Sequence, residues 1–171
     1  MAAGSPKPRP PTGESVPPPH SAGILLYRRL AGETEVLLIH PGGPYWSGKD
    51  VGAWMIPKGG VDDGEAARDA AAREFEEETG APLTAEAVPL CRVRQSGGKI
   101  VDVFVAEADF DPAQLRSTEF EMAWPPRSGR LRRFPEADRA RWMTLAEARR
   151  MMLESQRPML DALEAKLQSK R

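Results

Sequence analysis

The chain has 171 residues, 40% of them apolar and 29% charged, with a formal net charge of -1. That length supports one domain with a real core, and the near balance of charge excludes a general attraction to nucleic acid or membrane, so any anion site has to be local. A lone Cys91 excludes an internal disulfide, no apolar run reaches spanning length, and the N-terminus lacks the apolar centre of a signal peptide; the cytoplasm is the expected location. Residues 1–20 hold seven of the 17 prolines and no periodic apolar pattern, which predicts a disordered tail ahead of a domain over 21–171. Within the tail, Pro17-Pro18-Pro19 either dock a proline-reading module or form a tolerated extension, and order is expected to begin at His20.

Two apolar runs, Ile24 to Tyr27 and Val36 to Ile39, flank the polar stretch Arg28 to Thr34 and predict a hairpin over Ser21–Tyr27 and Glu35–His40. His40 to Gly52 reads as a glycine-rich loop bearing Tyr45, Trp46 and Lys49. Such aromatics can stack a nucleobase and the lysine can meet a phosphate, or the loop can fold on its own aromatics. Trp54 to Ile56 is expected as a strand delivering Lys58, Gly59 and Gly60, and the next stretch is a helix. Asp62 or Asp63 can cap it, the residues from Glu65 onward are strong helix formers, and Gly80 with Pro82 stops it. Ala87–Arg94 and Ile100–Glu107 read as strands around Ser96-Gly97-Gly98, with Arg92, Arg94 and Lys99 on the polar face and Cys91 as a buried, inert thiol. Asp111 to Gln114 is a turn. Pro125 to Arg133 reads as a loop whose Arg127, Arg130, Arg132 and Arg133 are either solvated or able to close over a polyphosphate. Arg141–Thr144 suggests an edge strand, and Leu145–Met152 and Pro158–Gln168 two amphipathic helices.

Charge on the central helix is oddly placed. Glu74, Glu77 and Glu78 stand at spacings of three and four, so their carboxylates share one face of the last turn, while Ala71, Ala72, Phe75 and Thr79 turn inward. Like charges so spaced cost roughly 0.2–0.5 kcal/mol a pair, and acids at a helix C-terminus also oppose the macrodipole. Either Arg73 relieves a solvated acidic face through Glu77 or Glu76, or a hard divalent cation does. Magnesium prefers oxygen ligands and sits on a few carboxylates plus substrate phosphates, which suits glutamates beside a glycine turn.

Gly59, five residues, Glu65, seven residues, Arg73-Glu74-Phe75, one residue, Glu77-Glu78, one residue, Gly80 resembles the signature of the Nudix hydrolase family, departing only where Ala81 replaces a larger apolar residue. Weaker similarity extends to HPGGPYWSGKDVGAWMIPKGG, EMAWPPRSGR and FPEADRARW, which resemble a subgroup of predicted nucleotide pyrophosphohydrolases related to diadenosine polyphosphate hydrolases. The resemblance implies an α/β/α sandwich with a central mixed sheet, and Mg2+, with Mn2+ as substitute, on Glu74, Glu77, Glu78 and the backbone carbonyl of Lys58 or Gly59. It gives Arg73 and Glu65 the task of orienting the carboxylates, and an acid beyond the helix, Glu121 first and Glu119 second, that of further ligand or base; the base is expected to be one of Glu74, Glu77 and Glu78 or Glu121. Lys58 adds a point charge to the phosphate chain. The expected reaction is hydrolysis of a phosphoanhydride in a nucleoside diphosphate linked to another group, a dinucleoside polyphosphate or nucleoside triphosphate leading. A diphosphoinositol polyphosphate hydrolase or a non-catalytic nucleotide-sensing module are the alternatives. No membrane or stable nucleic-acid partner is expected, and the chain is read as a monomer or homodimer.

Overall fold

Strands β1 (His20–Leu30) and β2 (Glu33–Pro41) form the hairpin that the two apolar runs predict. Its turn is tighter than the sequence suggests: only Ala31 and Gly32 lie between the strands, both at positive φ (51° and 81°), and Arg28 and Thr34 belong to the ladder. This computed structural model describes residues 20–170. Apart from His20, which opens β1, the expected tail lies outside them.

The remaining elements are β3 (Lys58–Gly60), α1 (Ala67–Thr79), β4 (Val88–Arg94), β5 (Ile100–Glu107), β6 (Glu119–Ala123), β7 (Leu131–Pro135), β8 (Ala137–Thr144), α2 (Leu145–Met151) and α3 (Pro158–Ser169). The main sheet runs β4-β5-β1-β2-β8, with β3 on β1 beside β2. Only β1 and β5 are parallel among its named pairs, so the sheet is mixed. The runs in β1 and β2 are continuously apolar because both faces of these strands are covered. Ala22, Ile24, Leu26 and Leu37 pack under Ala70, Ala71 and Phe75 of α1. Leu25, Tyr27, Val36 and Leu38 pack with Met151 of α2 and Met159, Leu160 and Leu163 of α3. The α/β/α sandwich follows.

Three expectations need correction. Trp54–Ile56 is not a strand: Trp54 and Met55 make isolated bridges to Met152 and Ile39, and the short strand starts at Lys58. Pro57, which has no N–H, lies between and gives only its carbonyl, to Ile24 N–H at 3.1 Å. The helix starts at Ala67 with Ala66 at the cap and no side-chain cap bond, because Asp62 and Glu65 form a turn of their own and Glu65 is engaged by Arg73. Ala70, not Ala72, completes its buried face. Finally, Pro125–Arg133 is not wholly a loop. It includes the turn and first part of β7 in a second hairpin, β6–β7, with Arg132 and Arg133 in the ladder.

Among the described residues no helix is long and apolar enough to cross a membrane. At the start of α2 the Thr144 hydroxyl accepts from Glu147 N–H at 3.2 Å. Thr144→Ala should cost about 1 kcal/mol, read as a fall in Tm of about 2–4 °C for a domain of this size.

Candidate active site

β3 and α1 meet where the glycine turn is bare. A Cβ on Gly59 would run into the Glu74 carboxyl group, so any larger residue there would displace that carboxylate from the turn. On the other side of the turn, Gly23 of β1 leaves room for Lys58 and Pro57, since a Cβ there would stand 2.7 Å from Lys58 Cβ. Lys58 N–H donates to Glu78 Oε2 at 2.8 Å, tying turn to helix directly.

Arg73 is the bracket of this junction. Its Nε–H and Nη2–H donate to the two oxygens of Glu65, both at 3.0 Å, Nη2–H also to Gly60 O at 2.9 Å, and Nη1–H to Glu74 at 3.0 Å with a longer 3.4 Å contact to Glu77. The planar guanidinium matches such a forked set of acceptors. Hydrogen bonding to Glu65 raises the Arg73 pKa, and the same bond lowers that of Glu65. Glu76 takes no part in this network and lies exposed.

The end of α1 is finished by backbone. Gly80, at φ 83°, donates to Glu76 O, Arg116 N–H to Thr79 O and Thr118 N–H to Glu77 O, which satisfies carbonyls that would otherwise face the crowded acids. From Thr118 the chain of bonds continues: Glu136 N–H donates to Thr118 O at 2.8 Å and Gly42 N–H to Glu136 O at 3.0 Å. The helix end, the link between β7 and β8 and the loop after β2 are thereby held together at one place.

That link brings in an acid the sequence reading missed. The Glu136 carboxyl is pushed up by burial and by the charge of Glu77, and Lys58 pulls it back. Glu74 is raised by burial and Glu77, and Glu78 is pushed up to about 8 by burial chiefly, with Glu74 and Glu136 adding to it. Lys58 is depressed by burial and by Lys99, against the pull of Glu78, Glu74 and Glu136. Glu136 lies within the stretch FPEADRARW, but no periodicity marks it. Glu121 is placed elsewhere. The alternation of β6 turns Phe120 and Met122 inward and Glu119 and Glu121 outward, and half-exposed Glu121 accepts from Arg133 at 3.1 Å.

The loop after β2 is clasped at its base. Buried His40 contacts Asp138 Oδ1 through Nδ1 (2.8 Å) and the Lys49 carbonyl through Nε2 (2.7 Å), and Trp54 Nε1–H donates to Asp50 at 2.8 Å. Lys49 Nζ stands 5.1 Å from the centre of the Trp46 ring, and Tyr45 meets Trp124 edge-on at 5.5 Å. Arg127, at φ 63°, and Arg130 sit in the β6–β7 turn beside Trp124, whose N–H donates to Arg130 O.

The acids fit a hard divalent cation in kind: anionic oxygen donors, mutually repelling, next to a backbone that can approach closely. Among the described residues no three His, Cys, Asp or Glu side chains converge as a finished ligand set.

A model of the NUDIX domain matches residues 17–163. Over 64 residues the chain is 44% identical to an RNA pyrophosphohydrolase of Cereibacter sphaeroides, a stretch covering 35% of this chain and 38% of that protein. Over 58 residues it is 43% identical to the asymmetrical bis(5'-nucleosyl)-tetraphosphatase of Caenorhabditis elegans, covering 34% and 38%. The chain thus spans well under half the length of these relatives. In structure it resembles a C. elegans Ap4A hydrolase binary complex, with TM-score 0.63 and 23% identity over 87% of this chain and 98% of that one. The NUDIX domain of Shewanella oneidensis NrtR complexed with ADP ribose gives TM-score 0.61 and 15% identity over 93% and 94%. These structural likenesses speak for the fold, while the domain match reaches across strands, helix and acidic cluster alike: the chain belongs to the Nudix family.

Proposed function

We propose that this protein is a Mg2+-dependent pyrophosphohydrolase that cleaves a phosphoanhydride bond in a nucleoside diphosphate linked to another group. The observation that carries the reading is the gathering of three carboxylates at one bare glycine turn: Lys58 N–H holds Glu78, Arg73 holds Glu74 and reaches Glu77, and the Glu74 carboxyl lies against Gly59. Structural acids are seldom collected in this way without a cation to offset them.

Glu74, Glu77, Glu78 and the carbonyl of Lys58 or Gly59 would hold Mg2+, or Mn2+ in its place. When bound, the ion neutralises phosphate oxygens and lowers the pKa of water. Arg73 fixes the rotamers of Glu74 and Glu77 and stays charged throughout. The Lys58 ammonium, already among the acids, is placed to meet a nonbridging phosphate oxygen. Glu136 takes the role first assigned to Glu121. As water oxygen bonds to phosphorus and the bridging P–O bond breaks, its carboxylate accepts the water proton, and its raised pKa brings it nearer the pH at which a base works best. Trp46, Tyr45 and Lys49 line the approach, and Arg127 and Arg130 lie at its rim. The substrate is a small molecule, with dinucleoside polyphosphates or nucleoside triphosphates leading, and the protein acts in the cytoplasm. The names of the RNA pyrophosphohydrolase and tetraphosphatase relatives support the bond class.

The deciding measurement is phosphate or nucleotide release from a panel of phosphoanhydrides with Mg2+ and with chelator. Release that requires the cation is expected. Tight nucleotide binding with no release from any substrate would instead establish a sensing module. Within the enzyme, Glu136→Gln should lower kcat by about 100-fold, the low end of what a positioned general base contributes, while Glu121→Gln changes it less than about twofold, as a surface ion pair contributes little. Equal losses would return the base to Glu121.

A further inference from the structure

His40 is fully buried, yet each of its ring nitrogens faces an acceptor. Nδ1 lies 2.8 Å from the Asp138 carboxylate, and Nε2 lies 2.7 Å from the Lys49 carbonyl. A neutral imidazole has one N–H and can serve only one of the two. The pair therefore holds one proton more than a neutral ring beside an ionised carboxylate would, whichever atom carries it. We infer that His40 is a positioning residue: with this proton it locks the far end of the loop after β2 onto β8, and without it the loop is released. The consequence for turnover rests on the hydrolase reading above, because that loop lines the approach to the acids; the clasp itself does not.

The surroundings offer the ring no other partner. Trp54 meets it edge-on at 5.4 Å, and beyond the indole the guanidinium groups of Arg139 and Arg141 stand 5.2 and 5.6 Å from the Trp54 ring. Arg139 Nε also lies 3.7 Å from the Asp138 oxygen that faces His40, and Asp50 is held by the indole N–H. When the proton leaves, the bond to charged Asp138 is the stronger one and is kept. Nε2 then turns a lone pair toward the Lys49 carbonyl, and because the ring is closed to solvent the lost bond is not replaced. The near end of the loop is indifferent to this proton, since Gly42 N–H donates to Glu136 O through backbone alone. Between the two ends, Trp46 N–H donates to Gly43 O and Lys49 N–H to Trp46 O, so the segment carrying Tyr45, Trp46 and Lys49 responds as one piece. Histidine is the side chain suited to such a response between about pH 5 and pH 8.

Asp138→Asn is the decisive variant. Its side chain is 35% exposed in the wild type, so the fold is kept. An asparagine amide can donate to Nδ1 of a neutral ring, whose Nε2–H then serves Lys49, and both bonds survive without the extra proton. Hydrogen exchange at the amides of Trp46, Lys49 and Ala53 reads the clasp directly, in the full chain with Mg2+ at pH 5.5 and pH 8, each rate divided into its intrinsic value. Protection should fall about tenfold across this range in the wild type, the scale of one lost buried hydrogen bond, and change less than about twofold in Asp138→Asn. Level protection in the wild type, or an equal fall in both proteins, overturns the clasp. The second reading is kinetic, with ATP as substrate: the ratio of wild-type to variant KM should rise with pH while the ratio of kcat stays level. A flat KM ratio beside the expected exchange result removes the positioning role. Failure of the wild-type protein to cleave any phosphoanhydride sinks the hydrolase reading instead, and the exchange data still decide the clasp.

Discussion

Glu77→Gln and Glu78→Gln should each reduce Mg2+-dependent turnover by about a thousandfold, the scale on which removing one preorganised charge from a phosphoryl or acyl transfer site acts. Glutamine keeps the shape and loses the anion, so the helix and its packing should persist, and the variants should show unchanged far-UV circular dichroism. The two positions differ in what else is lost. Glu78 accepts the Lys58 N–H at 2.8 Å, a bond the glutamine carbonyl can still accept, whereas Glu77 is the more exposed and has only the 3.4 Å contacts from Arg73. Groups acting as one unit are not additive. The double variant should therefore be little worse than either single one, and a loss near the product of the two would mean the carboxylates act separately. Retention of a tenth of the wild-type rate by both single variants would remove these acids from the chemistry.

The helix carrying those acids was legible because its information is local. Spacing of three and four fixes which carboxylates share a face, and Gly80 adopts the left-handed conformation that a stop requires. The first hairpin was legible for a similar reason, as its turn and alternating faces lie within one short segment. Its extra length was not, because Arg28 and Thr34 look like loop residues until Glu35, Asp109 and the Trp142 ring are seen to engage Arg28. Glu136 was illegible in a deeper way. Its position depends on bonds running from Glu77 to Thr118, from Thr118 to Glu136 and from Glu136 to Gly42, segments far apart in the chain whose meeting no period or motif encodes. Glu121 stood out as a candidate while β6 was unread. Once the strand is recognised, its alternation turns that side chain outward. The N-terminus of α1 misled for the opposite reason: Asp62 and Asp63 have the chemistry of caps, but the turn closed by Glu65 and Arg73 fills the space first.

The metal-free protein should lose stability as pH rises from about 5 to about 8, and Mg2+ should restore more of it at the upper end. Glu78 is pushed up to about 8 in the folded protein, from an ordinary value of 4.5, mainly by burial and further by Glu74, while the Lys58 N–H bond acts the other way. Glu74 and Glu136 move in the same direction. Folded protein therefore keeps protons that the unfolded chain has already released, so the contribution is fully present below the unfolded value and is lost through the folded one. Each unit is worth about 1.4 kcal/mol, and because these acids are only partly buried and titrate together, about 2 kcal/mol is the expected total. For a domain of this size that is a fall in Tm of about 4–8 °C. Lys58 is depressed instead and recovers stability as it loses its proton, which limits the effect at higher pH. A divalent cation binds the ionised carboxylates and so stabilises most where they have lost their protons. Thermal melts at pH 5, 6.5 and 8 with chelator and with Mg2+ measure both effects, and Glu78→Gln, which has no proton to lose, should flatten the chelator series. A melting temperature that stays level or climbs across this range in the chelated wild-type protein would mean that the acids are solvated and separate, and the case for a cation at the end of α1 would go with them.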